Sequence, residues 1–241
     1  MAGPLEQFEI KPISDSIMIG QYDVAFTNSS LWMVITAVFC IGFLSLGIRR
    51  RSLVPGYWQS MVESLYEVVA NMVRDNVGNE GRKYFPFVFT LFMFVLFGNL
   101  LGLIPHAFTF TSHLIVTFSM ALVIFVGVTV IGIVRHGFKF LSLFFPHGAP
   151  WWTAFILIPI ELVSYLSRPI SLSVRLFANM TVGHVILKVI AGFVIALGIA
   201  GVLPLAGLVA LTMLEFLVAV IQAYVFTILT CIYLHDAIHL H

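Results

Sequence analysis

Residues 85–104 read FPFVFTLFMFVLFGNLLGLI, twenty positions without one charged side chain. The hydrocarbon core of a bilayer is about 30 Å thick and takes roughly 20 residues of helix, so this stretch has the length of a single crossing. Leu31 to Ile48 is a second such run, ending at Arg49, Arg50 and Arg51. Leu114 to Val134 is a third, and the short connection Pro105 to His113 makes it the antiparallel partner of the first. Two longer apolar stretches follow, Trp151 to Leu197 and Leu203 to Tyr233, separated by Gly198 to Val202. Each exceeds one perpendicular crossing, which implies strong tilt, a kink near Pro169 or an extra partial helix.

Composition agrees: 60% of the 241 residues are hydrophobic and 10% are charged, with a mean hydropathy of +1.05. Soluble domains carry about a quarter charged residues, so the expected class is an all-α polytopic membrane protein. A formal net charge of +1 gives no basic surface for nucleic acid. Cys40 and Cys231 lie inside apolar runs and read as small core residues rather than a disulfide. Met1 to Asp23 is mixed and acidic, without a basic, apolar, cleavable leader pattern.

Between the first two spans, Tyr57, Met61, Leu65, Val68 and Met72 recur every three to four residues against Glu63, Glu67, Arg74 and Asp75. Residues 55–77 are therefore expected as an amphipathic helix on the membrane surface. The expected layout is one polytopic domain over 1–241. It has an outside segment 1–30, a first span 31–48, the amphipathic helix 55–77, a hairpin 85–134 and a long tilted pair 151–233. Arg49 to Arg51, and Arg135 with Lys139, put their loops inside by the positive-inside rule, hence the N-terminus outside and the C-terminus inside.

Five charged side chains remain within the last two apolar stretches: Glu161, Arg168, Arg175, Lys188 and Glu215. His184 joins them. A charge at the bilayer centre costs about 2.5–3.5 kcal/mol on insertion scales, so such residues mark ion or proton paths by default. Arg168 and Lys188 can instead snorkel to an interface. At about 100° and 1.5 Å per residue, Glu161, Arg168, Arg175 and Asn179 fall within about 40° of one another as a stripe. Glu215 and Gln222 share a face of the last helix. If Gln222 lies level with Arg175, Glu215 and His184 are displaced about 10 and 13 Å in the same direction and meet, while Glu161 lies about 21 Å the other way. His184 is nine residues from Arg175, about 180° around the helix, so the two serve different surfaces.

Ser171 to His184, SLSVRLFANMTVGH, resembles the signature of the ATP synthase subunit a family around its arginine. NLLGLIPH at Asn99 to His106, FTFTSH at Phe108 to His113 and CIYLHDAIHLH from Cys231 onward agree with it. The resemblance implies a proton-translocating stator subunit of a rotary F-type ATP synthase in an energy-transducing inner membrane, that of a bacterial cell or of a mitochondrion. It implies that Arg175 separates two half-channels and meets the carboxylates of a rotating ring of proteolipid c subunits. Asn179 and Gln222 would be its polar neighbours at that ring. His184 and Glu215 would line the outside half-channel and Glu161 the inside one. Peripheral-stalk b subunits, the catalytic head and membrane lipid are the other implied partners. Arg168 departs from family members with an uncharged residue there and is given no such role.

Other classes fit less well. Secondary transporters often show broken helices in both of two internal repeats, whereas the buried charges here are all C-terminal. A haem subunit needs facing histidines within spans, and His106, His113, His136, His147, His235, His239 and His241 fall in loops or at helix ends. His235, Asp236, His239 and His241 read as a polar helix terminus rather than a metal site. No phosphate-cradling glycine loop follows a strand, so nucleotide chemistry is expected in partner subunits and no cofactor is expected here.

Overall fold

The structure is a computed structural model and describes residues 8–13, 17–19, 22–49, 55–104, 107–137, 139–140 and 153–239. The loop Phe144 to Pro150, with His147, and also His106 and His241, lie outside the described residues.

The chain begins with a short antiparallel hairpin, β1 (Ile17–Ile19) and β2 (Tyr22–Val24), an element the periodicity did not suggest. Asn28 anchors the segment before it. Its amide donates to the Glu9 carbonyl at 3.1 Å and its Oδ1 accepts from Lys11 N at 3.2 Å. Six helices follow among the described residues: α1 (Asn28–Ile48), α2 (Tyr57–Val77), α3 (Phe85–Gly102), α4 (Leu114–His136), α5 (Ala154–Ala196) and α6 (Val202–Ile238). Thr27 caps α1, its Oγ1 accepting from Ser30 N at 3.4 Å, so the helix starts three residues before the apolar run does. Among the described residues five helices, all but α2, are long and apolar enough to cross a membrane.

Helix α2 is amphipathic and charged throughout its length. It buries Val62, Val69, Met72, Val73 and Val77 against α1, α3 and α6, while Tyr57, Met61 and Val68 stay exposed. The packed edge is thus turned about one residue from the stripe read in the sequence. The apolar face is wide, and packing chose one side of it.

Helices α5 and α6 have 43 and 37 residues. At 1.5 Å per residue they are about 65 and 55 Å long, close to twice the hydrocarbon thickness, and so cross at a steep tilt. Pro159 and Pro169 lie within α5, which is assigned as helix throughout. Helix α6 is the central element and packs on α2, α3, α4 and α5. It continues past Tyr233 to Ile238, because its end is held: His136 of α4 contacts the Ile238 carbonyl at 3.0 Å, and Asp236 pairs with Arg168. The outer faces of α5 and α6 remain lined by exposed Leu, Ile, Val and Phe, as lipid or partner subunits require.

Candidate functional site

The polar residues of the last two stretches assemble along the seam between α5 and α6. Asn179 Nδ2 donates to Gln222 Oε1 at 2.7 Å. Gln222 therefore lies level with Asn179 rather than with Arg175, one helical turn from the alignment assumed in the sequence. The meeting further along the seam is unaffected. His184 Nδ1 contacts Glu215 Oε1, and the two side chains are only 12% and 6% exposed. From Asn179 to His184 is five residues and from Gln222 to Glu215 seven, so an antiparallel pair brings both within reach, within about 3 Å of the same depth.

The histidine has further partners that the sequence did not indicate. Its Nε2 lies 3.0 Å from the Gly102 carbonyl and 2.8 Å from Thr109 Oγ1, while the Thr109 hydroxyl donates to that same carbonyl at 2.9 Å. With the threonine proton committed to the carbonyl, Nε2 carries the hydrogen that reaches both oxygens. Nδ1 then faces a carboxylate oxygen of Glu215, so an imidazole and an acid meet inside the seam. Glu215 Oε2 is buried with no hydrogen-bond partner among the described residues. Gly183 makes room for this arrangement, since a Cβ added there would lie 2.6 Å from Glu215 Oε1. The only hint of Thr109 in the sequence was the polar FTFTSH segment returning from α3 to α4. Phe8 stands over the other side, its ring 6.4 Å from that of His184.

Arg175 faces away from this pair. It is exposed, as are Asn179 and the apolar Val182 on the same side of α5. It forms no ion pair among the described residues and lies within electrostatic reach of Tyr233. Towards the other end, Arg168 Nη1 lies 3.0 Å from Asp236 Oδ2 and its guanidinium covers the rings of Tyr165 and Tyr233 at 5.3 and 5.1 Å. Glu161, two turns beyond, is half-buried without an ion pair among the described residues. Lys188 is exposed, one turn past His184. Among the described residues no three His, Cys, Asp or Glu side chains are grouped to hold a metal ion.

Fold and site together define a polytopic α-helical membrane protein with a buried histidine–glutamate pair behind an exposed arginine. Comparison with known proteins narrows the class. The family model described as ATP synthase A chain matches residues 30–235. The ATP synthase subunit a of Paramagnetospirillum magneticum is 64% identical over 248 aligned positions spanning the whole of both chains. That of Rhodospirillum rubrum is 61% identical over 242 positions, again across both chains, and that of Parvibaculum lavamentivorans 55% over 243, covering 98% of this chain and 93% of the relative. The chain belongs to the ATP synthase subunit a family.

Proposed function

We propose that the chain is the proton-translocating stator subunit of a bacterial F-type ATP synthase, multi-pass in the inner membrane. Its residues offer two offset half-channels to the carboxylates of a proteolipid c ring. The observation that carries this reading is Arg175, an exposed cation that forms no ion pair among the described residues, with the buried His184–Glu215 pair on the opposite side of α5. Lipid tolerates such a charge poorly, at about 2.5–3.5 kcal/mol on insertion scales, whereas a carboxylate arriving from a neighbouring subunit satisfies it.

The steps follow from charge. A proton from the outside passes through Glu215 and His184 and neutralises a ring carboxylate, which then faces lipid without a buried charge. As the ring turns, a protonated carboxylate reaches Arg175 from the other side; the guanidinium favours the ionised form and the proton leaves towards Glu161. Asn179 and Gln222 sit between these points as hydrogen-bonding neighbours at the ring. Arginine suits the barrier because it does not deprotonate and so cannot relay a proton between the half-channels. Each proton crossing 100 mV supplies about 2.3 kcal/mol. Peripheral-stalk b subunits hold the chain still, and the catalytic head, not this chain, carries the nucleotides. The N-terminus lies outside and the C-terminus inside, with residues 1–241 acting as one membrane unit.

The test is proton flux and ATP synthesis in vesicles containing the assembled complex. Arg175→Ala should abolish synthesis and ATP-driven pumping while passive proton leak persists or rises. If Arg175 only braced helices, leak and assembly would fall together. Coupled synthesis near the parent rate in Arg175→Ala would overturn the mechanism.

A further inference from the structure

A furrow runs between α3 and α4, away from the proton-carrying seam. At its mouth is a cavity of about 560 Å³ whose wall includes Glu80, Lys83, Tyr84, Val134 and Arg135. Tyr84 and Ile131 are shared with a second hollow of about 150 Å³, and Phe87 joins that to a third of about 340 Å³ reaching Phe94, Ser119 and Val123. The shared walls make one trough, polar at one end and apolar along its length. From Tyr84 to Phe94 is ten residues, about 15 Å of helix. That is half the hydrocarbon thickness of about 30 Å, the depth of one leaflet.

The charges at the mouth do not cancel. Arg135 is paired with Glu80. Lys83 is exposed, makes no ion pair among the described residues, and has Arg82 beside it. The mouth therefore carries excess positive charge where α4 ends and the membrane interface begins. Midway along, Gly127 leaves a notch: a Cβ added there would meet nothing within 4 Å. Val130 and Val134 continue the apolar wall, the latter 80% exposed.

We infer that this furrow binds an anionic phospholipid, its phosphate at Lys83 and the outer donors of Arg135, and one acyl chain along Phe87 to Phe94. A basic site between spanning helices attracts anionic headgroups. A zwitterionic lipid brings its own cation to the same point and gains less. The site needs only the crossing helices, so its failure would leave the proton path untouched.

The complex is reconstituted with phosphatidylglycerol or phosphatidylcholine carrying a photoreactive group in the acyl chain, and labelled peptides are mapped. Phosphatidylglycerol should label α3 near Phe87 to Phe94 and α4 near Ser119 to Val123 about fivefold more than phosphatidylcholine, the increment expected of one basic side chain beside an anionic headgroup. Lys83→Gln, a surface change compatible with folding, should remove that preference. Gly127→Leu should reduce labelling by both lipids by occupying the notch. Equal labelling by the two lipids in the parent would mean ordinary annular lipid and overturn the proposal. Absence of labelling along α3 and α4 would mean that a neighbouring protein segment covers the furrow, and would overturn it equally.

Discussion

Arg168 Nη1 lies 3.0 Å from Asp236 Oδ2, tying the early part of α5 to the last turns of α6. The pair is largely buried and roofed by Tyr165 and Tyr233. Replacing Arg168 with Leu leaves a carboxylate without its partner and should cost about 1.5–3 kcal/mol, the range for hydrogen bonds to charged groups. Exchanging the two, Arg168→Asp with Asp236→Arg, should recover part of the loss. Hydrogen exchange at Tyr233 to His239 is the measurement; unchanged protection in Arg168→Leu would show that the pair does not hold the end of α6.

The contact between His184 and Glu215 leads to a second expectation. Swapping the two residues keeps one acid and one imidazole at the same depth, so it should retain more proton-driven synthesis than Glu215→Leu. A swap no better than the single loss would mean that the two do not act as a pair.

Gly183 offers a gentler probe of that pair. A methyl group there collides with Glu215 Oε1 at 2.6 Å, tighter than van der Waals contact allows, so Gly183→Ala should displace the carboxylate from His184. Synthesis per assembled complex should fall while assembly changes little. Normal synthesis would show that the carboxylate position is not critical.

His113, at the start of α4, is stacked on Phe108 and held below its ordinary pKa by burial. Its folded form binds a proton less readily than the unfolded chain does. Below the unfolded pKa of about 6.5 the unfolded state gains the proton first, so stability falls as pH falls and is fully present above that range. His113→Gln should therefore narrow the difference in thermal stability between pH about 7.5 and about 5. An unchanged difference would assign the acid sensitivity elsewhere.

Helix α2 exposes Glu63 and Glu67. Cysteines placed there should react with impermeant thiol reagents from the inside only. Labelling from the outside would reverse the proposed orientation of the chain.

Much of the architecture was legible because the cost of placing a residue in lipid is local. Each apolar run, from Phe85 to Ile104 to the long pair after residue 150, declares itself without reference to any other, and charges as costly as Arg175 and Glu215 are conspicuous against them. Helical periodicity likewise separated the face of Arg175 from that of His184, since nine residues make about two and a half turns of an α-helix and leave the two on opposite sides. The start of α1 and the end of α6 lie outside the apolar runs because a cap at Thr27 and an ion pair at Asp236 extend helix beyond the apolar residues.

What only the tertiary structure decided is how those helices slide and turn against each other. Period and length leave the offset between α5 and α6 open by a turn. It is set by the Asn179–Gln222 hydrogen bond and the fit of side chains along the whole seam, which puts Gln222 one turn from where Arg175 would have taken it. The same is true of Thr109 and Gly102 around His184. They come from a connection 75 and 82 residues away in the chain, and no local pattern records a contact made only when α3, α5 and α6 close on one another. The sequence alone determined which groups must be buried together, because an ionisable side chain in an apolar medium has to find a partner. Packing alone determined that His184 found Glu215 and Arg168 found Asp236.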